Sequence, residues 1–240
     1  MKKNALRDAA MSQMPHVSVT VAKGTYRWNV IDTLPAHGNV GVELGVAAGS
    51  FSARMVHSGC FSRFYGVDVY GDNHNVAEYK KALQTVGLDH NYHLLRMRFD
   101  EALDLFPDQH FDFIYVDGYA HTGEEGGRTL VDWYAKLKPG GVMAGDDYDL
   151  ESWPLVVWAV HHLVAQVGAD LNVTDLVADA AFNRYRSWFF TKPANAPPVL
   201  HQPDADLIEL GELAKLQRAQ EQRKRVARRK RLKDSRPRES

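Results

Sequence analysis

Short apolar runs alternate along this chain with segments whose apolar positions fall three and four residues apart. Strand-length runs occur at "NVGVEL" (39–44), "FYGVDV" (64–69), "HLLRM" (93–97), "FDFIYVD" (111–117) and "GVMAGD" (141–146). Between them, residues 50–58, 75–86, 100–106 and 124–137 read as helices. In the last of these Leu130, Tyr134 and Leu137 recur at helical spacing before Gly140-Gly141 ends the segment. A further helix follows Ser152, with Pro154 in its first turn and Trp153, Val157, Val160, Val164 and Val167 along one face. Two more strands are expected around "LNVTDL" (171–176) and "RYRSWFFT" (184–191), and "PANAPP" closes the compact region. No internal repeat is visible. Strands alternating with helices predict an α/β, Rossmann-like, doubly wound fold. Its sheet should be mostly parallel and seven-stranded, with helices on both faces and ligands outside the carboxyl ends of the strands.

This pattern divides the chain into an N-terminal extension or cap (1–36), a ligand-binding domain (37–193), a linker (194–214) and a tail (215–240). Hydrophobic residues are 45% and charged residues 25% of the 240, the balance of a soluble globular protein. No apolar run approaches the ~20 residues that cross a bilayer. The N-terminal stretch lacks the apolar core of a secretory signal. The single cysteine, Cys60, suits a reducing compartment, so a cytoplasmic location is expected.

Charge separates the tail from the rest. Residues 215–240 hold twelve Lys/Arg against three acids, while the other 214 hold seventeen against twenty-seven. Such a tail, helical at its start and disordered beyond Lys233, is a solvated extension, a holder of nucleic acid or another anionic surface, or a dock for the acidic body of a second copy in a homo-oligomer.

The loop "VELGVAAGSFS" (42–52) leaves the first strand and opens a helix. Gly45 permits a tight turn, Gly49 lets the helix start close to the sheet, and the N–H groups there favour a polar or anionic ligand group. A dinucleotide loop would carry a third glycine where Ala47 stands. Glu43 in the strand end repels phosphate but accepts from an ammonium. Asp68 ends the second strand, where an acid can bind both hydroxyls of a ribose or simply cap the turn. Together these residues suggest a nucleoside ligand carrying an amine.

Three acids also meet at the strand ends. Asp117 ends the fourth strand and Asp146-Asp147 the fifth, so a parallel sheet should bring them face to face. Like charges so close need a compensating positive centre. A hard divalent cation such as Mg²⁺, held by Asp117, Asp146 and Asp147, would supply it. A metal-free site and purely structural roles as caps and turn formers are the alternatives. His121, four residues past Asp117, has a ring suited to general-base work, its ordinary pKa being about 6.5. The His161-His162 pair lies on a helix with its rings diverging, one against the core and one outward, and is a poor bidentate ligand. Tyr148 and Trp153 either wall an acceptor pocket or pack in the core.

Taken together, "VELGVAAGSFS", "GVDV", "FDFIYVDG" and "LKPGGVMAGDDY" resemble the successive motifs of class I S-adenosylmethionine-dependent methyltransferases, over roughly residues 38–192. Within that class the chain looks like the small-molecule (sugar- and macrolide-type) O-methyltransferases with a strand-end DDY motif. The resemblance implies that Glu43, Gly45 and Gly49 bed the methionine end of S-adenosylmethionine, that Asp68 binds its ribose, and that Phe99 and Asp100 lie beside the adenine. It also implies metal ligation by Asp117, Asp146 and Asp147. The expected activity is metal-assisted methylation of a hydroxyl on a small molecule or sugar, with Asp117 or His121 accepting the proton. The alternatives are a nucleic-acid-modifying methyltransferase or nucleic-acid binder that uses the basic tail and, more remotely, an NAD-dependent dehydrogenase.

Overall fold

The computed structural model describes residues 5–71, 75–88, 91–118, 126–176, 184–195, 197–201 and 204–234. Eight strands form one sheet: β1 (Val19–Ala22), β2 (Asn39–Leu44), β3 (Phe61–Val67), β4 (Tyr92–Leu95), β5 (Phe111–Val116), β6 (Leu137–Tyr148), β7 (Leu171–Thr174) and β8 (Arg186–Thr191). Their spatial order is β1-β7-β8-β6-β5-β2-β3-β4. Among the described strands only β8 runs against its neighbours, β6 and β7. The helices are α1 (Ala5–Gln13), α2 (Ser50–His57), α3 (Val76–Val86), α4 (Phe99–Ala102), α5 (Arg128–Lys136), α6 (Pro154–Val167) and α7 (Ala205–Asp234).

The apolar runs explain why the sheet is covered on both sides. Successive side chains of a strand point to opposite faces. Ile114 and Val116 of β5 enter one core with Trp133 of α5 and Trp158 of α6. Phe113 and Tyr115 of the same strand enter the other, with Phe51 and Met55 of α2 and with Val30 and Ile31. Chain order reverses between β2 and β5. From β2 the chain continues to β3 on one side, and from β5 to β6 on the other. Such a reversal point, at the carboxyl ends of the strands, is where folds of this kind place ligands.

The expected doubly wound architecture is present, with an eighth strand that the sequence pattern did not predict. Residues 19–22 pair in parallel with Leu171–Thr174 at the sheet edge. Four residues with Val19 and Val21 both exposed give little periodicity to detect. The N-terminal segment is thus part of the sheet, and α1 packs against α6 and α7. Helix α7 begins inside the expected linker, where Asp204 accepts a hydrogen bond from the Leu207 N–H at 2.7 Å and Leu207 is buried. The helix runs to Asp234; residues 235–240, where disorder is expected, lie outside the described residues. No helix among the described residues is long and apolar enough to cross a membrane.

Candidate functional site

At the end of β2 the backbone turns sharply at Gly45, with φ +96°. A Cβ at this position would stand 1.4 Å from the carbonyl oxygen of Asp117. Glycine is therefore required by the close crossing of the loop and the end of β5, as well as by its φ. Gly49 caps α2 at φ +82°, where a Cβ would come within 3.0–3.1 Å of Val86 and Ala82 on α3. Between them Ala47 adopts φ 47°, the left-handed region that glycine occupies in the commoner form of this loop.

Neutral donors close the charges on this side. Asp68 Oδ2 accepts from the N–H groups of Val46 and Ala47 at 2.9 Å each, and its Oδ1 accepts from Tyr70 N–H at 3.1 Å. The Tyr70 hydroxyl donates back to the Ala47 carbonyl at 2.8 Å. One carboxylate and one phenol thereby tie the loop after β3 to the loop after β2. Glu43 is buried behind that loop and accepts from the Ser52 hydroxyl, which accepts in turn from Tyr92 at 3.1 Å. Burial pushes the Glu43 carboxyl well above the usual range, against the pull of the Ser52 hydrogen bond. Phe99, at the start of α4, is buried; a Cβ on Gly118 would stand 2.8 Å from its ring. Asp100 is exposed and forks with Arg98 at 2.9 Å, which holds its carboxyl below the ordinary value.

The acid side is closed differently. Asp117 and Asp146 do converge, and the positive centre between them is a guanidinium. Arg27 Nη2 lies 2.5 Å from Asp117 Oδ2, and Nη1 lies 3.1 Å from Asp146 Oδ2. The arginine is buried, its plane over the rings of Phe51 and Tyr115 at 5.1 and 5.4 Å, an arrangement that favours a weakly hydrated cation. Ser187 completes the cluster, donating to Asp146 Oδ1 at 3.3 Å and sharing a 3.1 Å hydrogen bond with the Tyr115 hydroxyl. Burial pushes the Asp146 carboxyl up to about 7, with Arg27 pulling it down and Asp117 and Asp147 raising it. No sequence signal marked Arg27, Tyr115 or Ser187. The first precedes Asp117 by ninety residues, and the others read as ordinary strand positions.

A divalent ion on Asp117, Asp146 and Asp147 does not fit this arrangement. Among the described residues, no three His, Cys, Asp or Glu side chains come together as a metal-holding group. The space between the first two acids belongs to the guanidinium, and Asp147 sits on a left-handed turn at φ 59°. His121 lies outside the described residues. His161 is buried between Tyr148, at 2.7 Å, and the Pro15 carbonyl, at 3.1 Å. His162 is half-buried and reaches the Gln13 carbonyl at 3.2 Å. The pair holds down the N-terminal segment.

Residues 40–148, just under half the chain, match the family described as a methyltransferase domain. The fold is that of S-adenosylmethionine-dependent methyltransferases. Among solved structures, the N-methyltransferase NodS from Bradyrhizobium japonicum WM9 is similar at 17% identity, over 68% of this chain and 90% of that one, with a TM-score of 0.51. Spermidine synthase from Thermotoga maritima is similar at 16% identity, over 72% and 58%, with a TM-score of 0.52. An S-adenosylmethionine-dependent methyltransferase from Mesorhizobium loti is 25% identical over 51% of this chain and 54% of its own, with a TM-score of 0.40. The match thus spans about half the length of the Mesorhizobium protein. No curated protein sequence matches the chain.

Proposed function

We propose that this protein is an S-adenosylmethionine-dependent methyltransferase acting on a hydroxyl of a small molecule. The observation that carries the reading is the packing of Gly45 onto the backbone of Asp117, which sets the loop suited to the cofactor directly beside the carboxylates suited to the acceptor. In this reading Gly45 and Gly49 shape the bed for the methionine end of the cofactor, and Glu43 acts from behind it through Ser52. Asp68 receives three N–H groups, and a carboxylate offers about four acceptor sites. One is left for a ribose hydroxyl. Phe99 and Asp100 flank the adenine.

Methyl transfer from a sulfonium is an in-line displacement, so the protein has to align the acceptor oxygen and take its proton. Asp117 is the carboxylate placed for this, its side chain 28% exposed against 14% for Asp146. His121 is the second candidate base. The acidic surroundings disfavour a polyanionic acceptor and suit a neutral, hydroxylated one.

The test is thermal-shift binding followed by transfer of a labelled methyl group. S-adenosylhomocysteine is expected to raise the melting temperature where NAD does not, and label should enter polyols, sugars or catechols. Absence of any shift, or label entering amines alone, refutes the reading.

One observation favours a second reading, in which the acceptor is a nucleic acid. The basic residues from Lys215 to Lys233 lie on one continuous helix. Salt-dependent gel retardation of RNA or DNA, abolished by deleting residues 215–240, would favour it.

A further inference from the structure

The acid pair at the ends of β5 and β6 lacks the charge balance of a cation site only if the N-terminal segment is ignored. Residues 24–31 cross the sheet edge to reach it, and each step of that path is fastened. Gly24 N–H donates to Asp175 Oδ2 at 3.2 Å, and Asp175 N–H donates to the Thr25 carbonyl at 3.1 Å, next to β7. Asn29 Oδ1 accepts from Tyr26 N–H at 2.9 Å and starts a short 3-10 turn, Arg27–Ile31. Trp28 lies under the Arg54 guanidinium of α2, 5.5 Å from ring centroid to carbon. Val30 and Ile31 are buried with Phe51 and Met55. The turn has little choice about where Arg27 points.

We propose that Arg27 is the resident cation of this site, occupying the place a divalent metal would otherwise take, so that the protein assembles its acid pair without metal. The inference concerns the charge balance alone and holds whatever the acceptor is. Two carboxylates within hydrogen-bond reach of one guanidinium are drawn together and held in fixed orientations by a planar fork. A dication entering between them would meet a positive charge at contact distance, with both facing carboxylate oxygens already engaged. The ring faces of Phe51 and Tyr115 add a surface that accepts a guanidinium and offers no oxygen ligand to Mg²⁺. Arg27 is a positioning residue here, since it acts through Asp117 and Asp146.

Removing the arginine should turn the site into what its acids alone suggest. The experiment measures Mn²⁺ binding by electron paramagnetic resonance, and melting temperature with Mg²⁺ or Mn²⁺ against a salt control of equal ionic strength. The full-length wild-type protein is expected to bind no stoichiometric Mn²⁺ and to show no cation-specific shift. Arg27→Ala should gain about one Mn²⁺ per chain and a rise of several degrees on adding it, and Asp117→Asn on that background should lose both. Arg27→Gln, closer in volume, gives the same readout if the alanine variant does not fold. A single Mn²⁺ bound by the wild type and lost in Asp146→Asn overturns the proposal. So does failure of both folded Arg27 variants to gain a site. Arg27→Lys, which keeps the charge without the fork, should stay metal-free, and Mn²⁺ binding by that variant would also count against the proposal.

Discussion

Two neighbouring stretches of the same sheet edge solve the same electrostatic problem by different means. After β2 and β3, buried carboxylates are closed by neutral donors from residues close in sequence, as when Asp68 takes the N–H groups of Val46, Ala47 and Tyr70. After β5 and β6, Asp117 and Asp146 are closed by the full charge of Arg27, from a segment ninety residues and more away. Backbone donors fix the shape of a loop without adding a formal charge to it. A fixed guanidinium fork suits two carboxylates that meet at the strand ends and would otherwise repel each other. The contrast ties each kind of compensation to the work expected of the acids it serves.

The largest effect should come from breaking the contact between the two halves. Gly45→Ala forces a side chain into the Asp117 carbonyl at a positive φ, and a loss of at least about 4 kcal/mol is expected in chemical denaturation. Loss of S-adenosylhomocysteine binding should accompany it. A variant that unfolds like wild type would mean the halves are not rigidly coupled.

Next comes Arg27→Ala, which leaves two carboxylates facing each other. A loss of about 3 kcal/mol is expected near neutral pH, the usual scale for removing one partner of a buried ion pair. The loss should shrink at pH 5, where the acids can take up protons. Equal losses at both pH values would show that packing over Phe51 and Tyr115, and not charge, is what the arginine contributes.

A smaller effect separates the halves by pH. The Asp146 carboxyl is raised from 3.8 to about 7, so between those values the folded state holds more protons than the unfolded chain. That contribution is complete below about pH 4 and is lost as pH rises through about 7. Glu43 is raised in the same direction by burial. The melting temperature, followed from pH 4 to 8, should therefore carry a falling component that Asp146→Asn reduces and Glu43→Gln reduces further. If Asp146→Asn leaves the profile unchanged, Arg27 keeps that acid ionised throughout.

The smallest expected change sharpens the loop side alone. Ala47→Gly removes a left-handed alanine and should add less than about 1 kcal/mol, because the gain is offset by a freer unfolded chain. A decrease would mean the alanine methyl packs usefully against its surroundings.

These pairs also show what the chain discloses before folding. The central strands β2, β5 and β6 were legible because each carries a largely apolar run covered on both faces, and Gly45 and Gly49 because a strand-to-helix turn needs them locally. That Asp117 and Asp146 face one another followed from parallel register. Arg27 was not legible, since nothing in "KGTYRWNV" distinguishes a guanidinium bound for the core from a solvated one. Strand β1 escaped for a related reason: four residues pairing with a partner far along the chain carry too short an alternation to stand out. The role of Asp68 was half visible. Its position offered a ribose contact or a turn cap, and the folded loops display the second, with three N–H groups on its carboxylate.

The position of Arg27 ahead of every strand it serves has a consequence for biosynthesis. A nascent chain leaving the ribosome can close the Asp68 turn soon after residue 70 emerges, because all its partners are already outside. The guanidinium must wait for Asp117, and then for Asp146 and the antiparallel β8 that carries Ser187. Translation thus supplies every partner of the Asp68 turn early, and the last partner of the guanidinium cluster only near the end of the sheet.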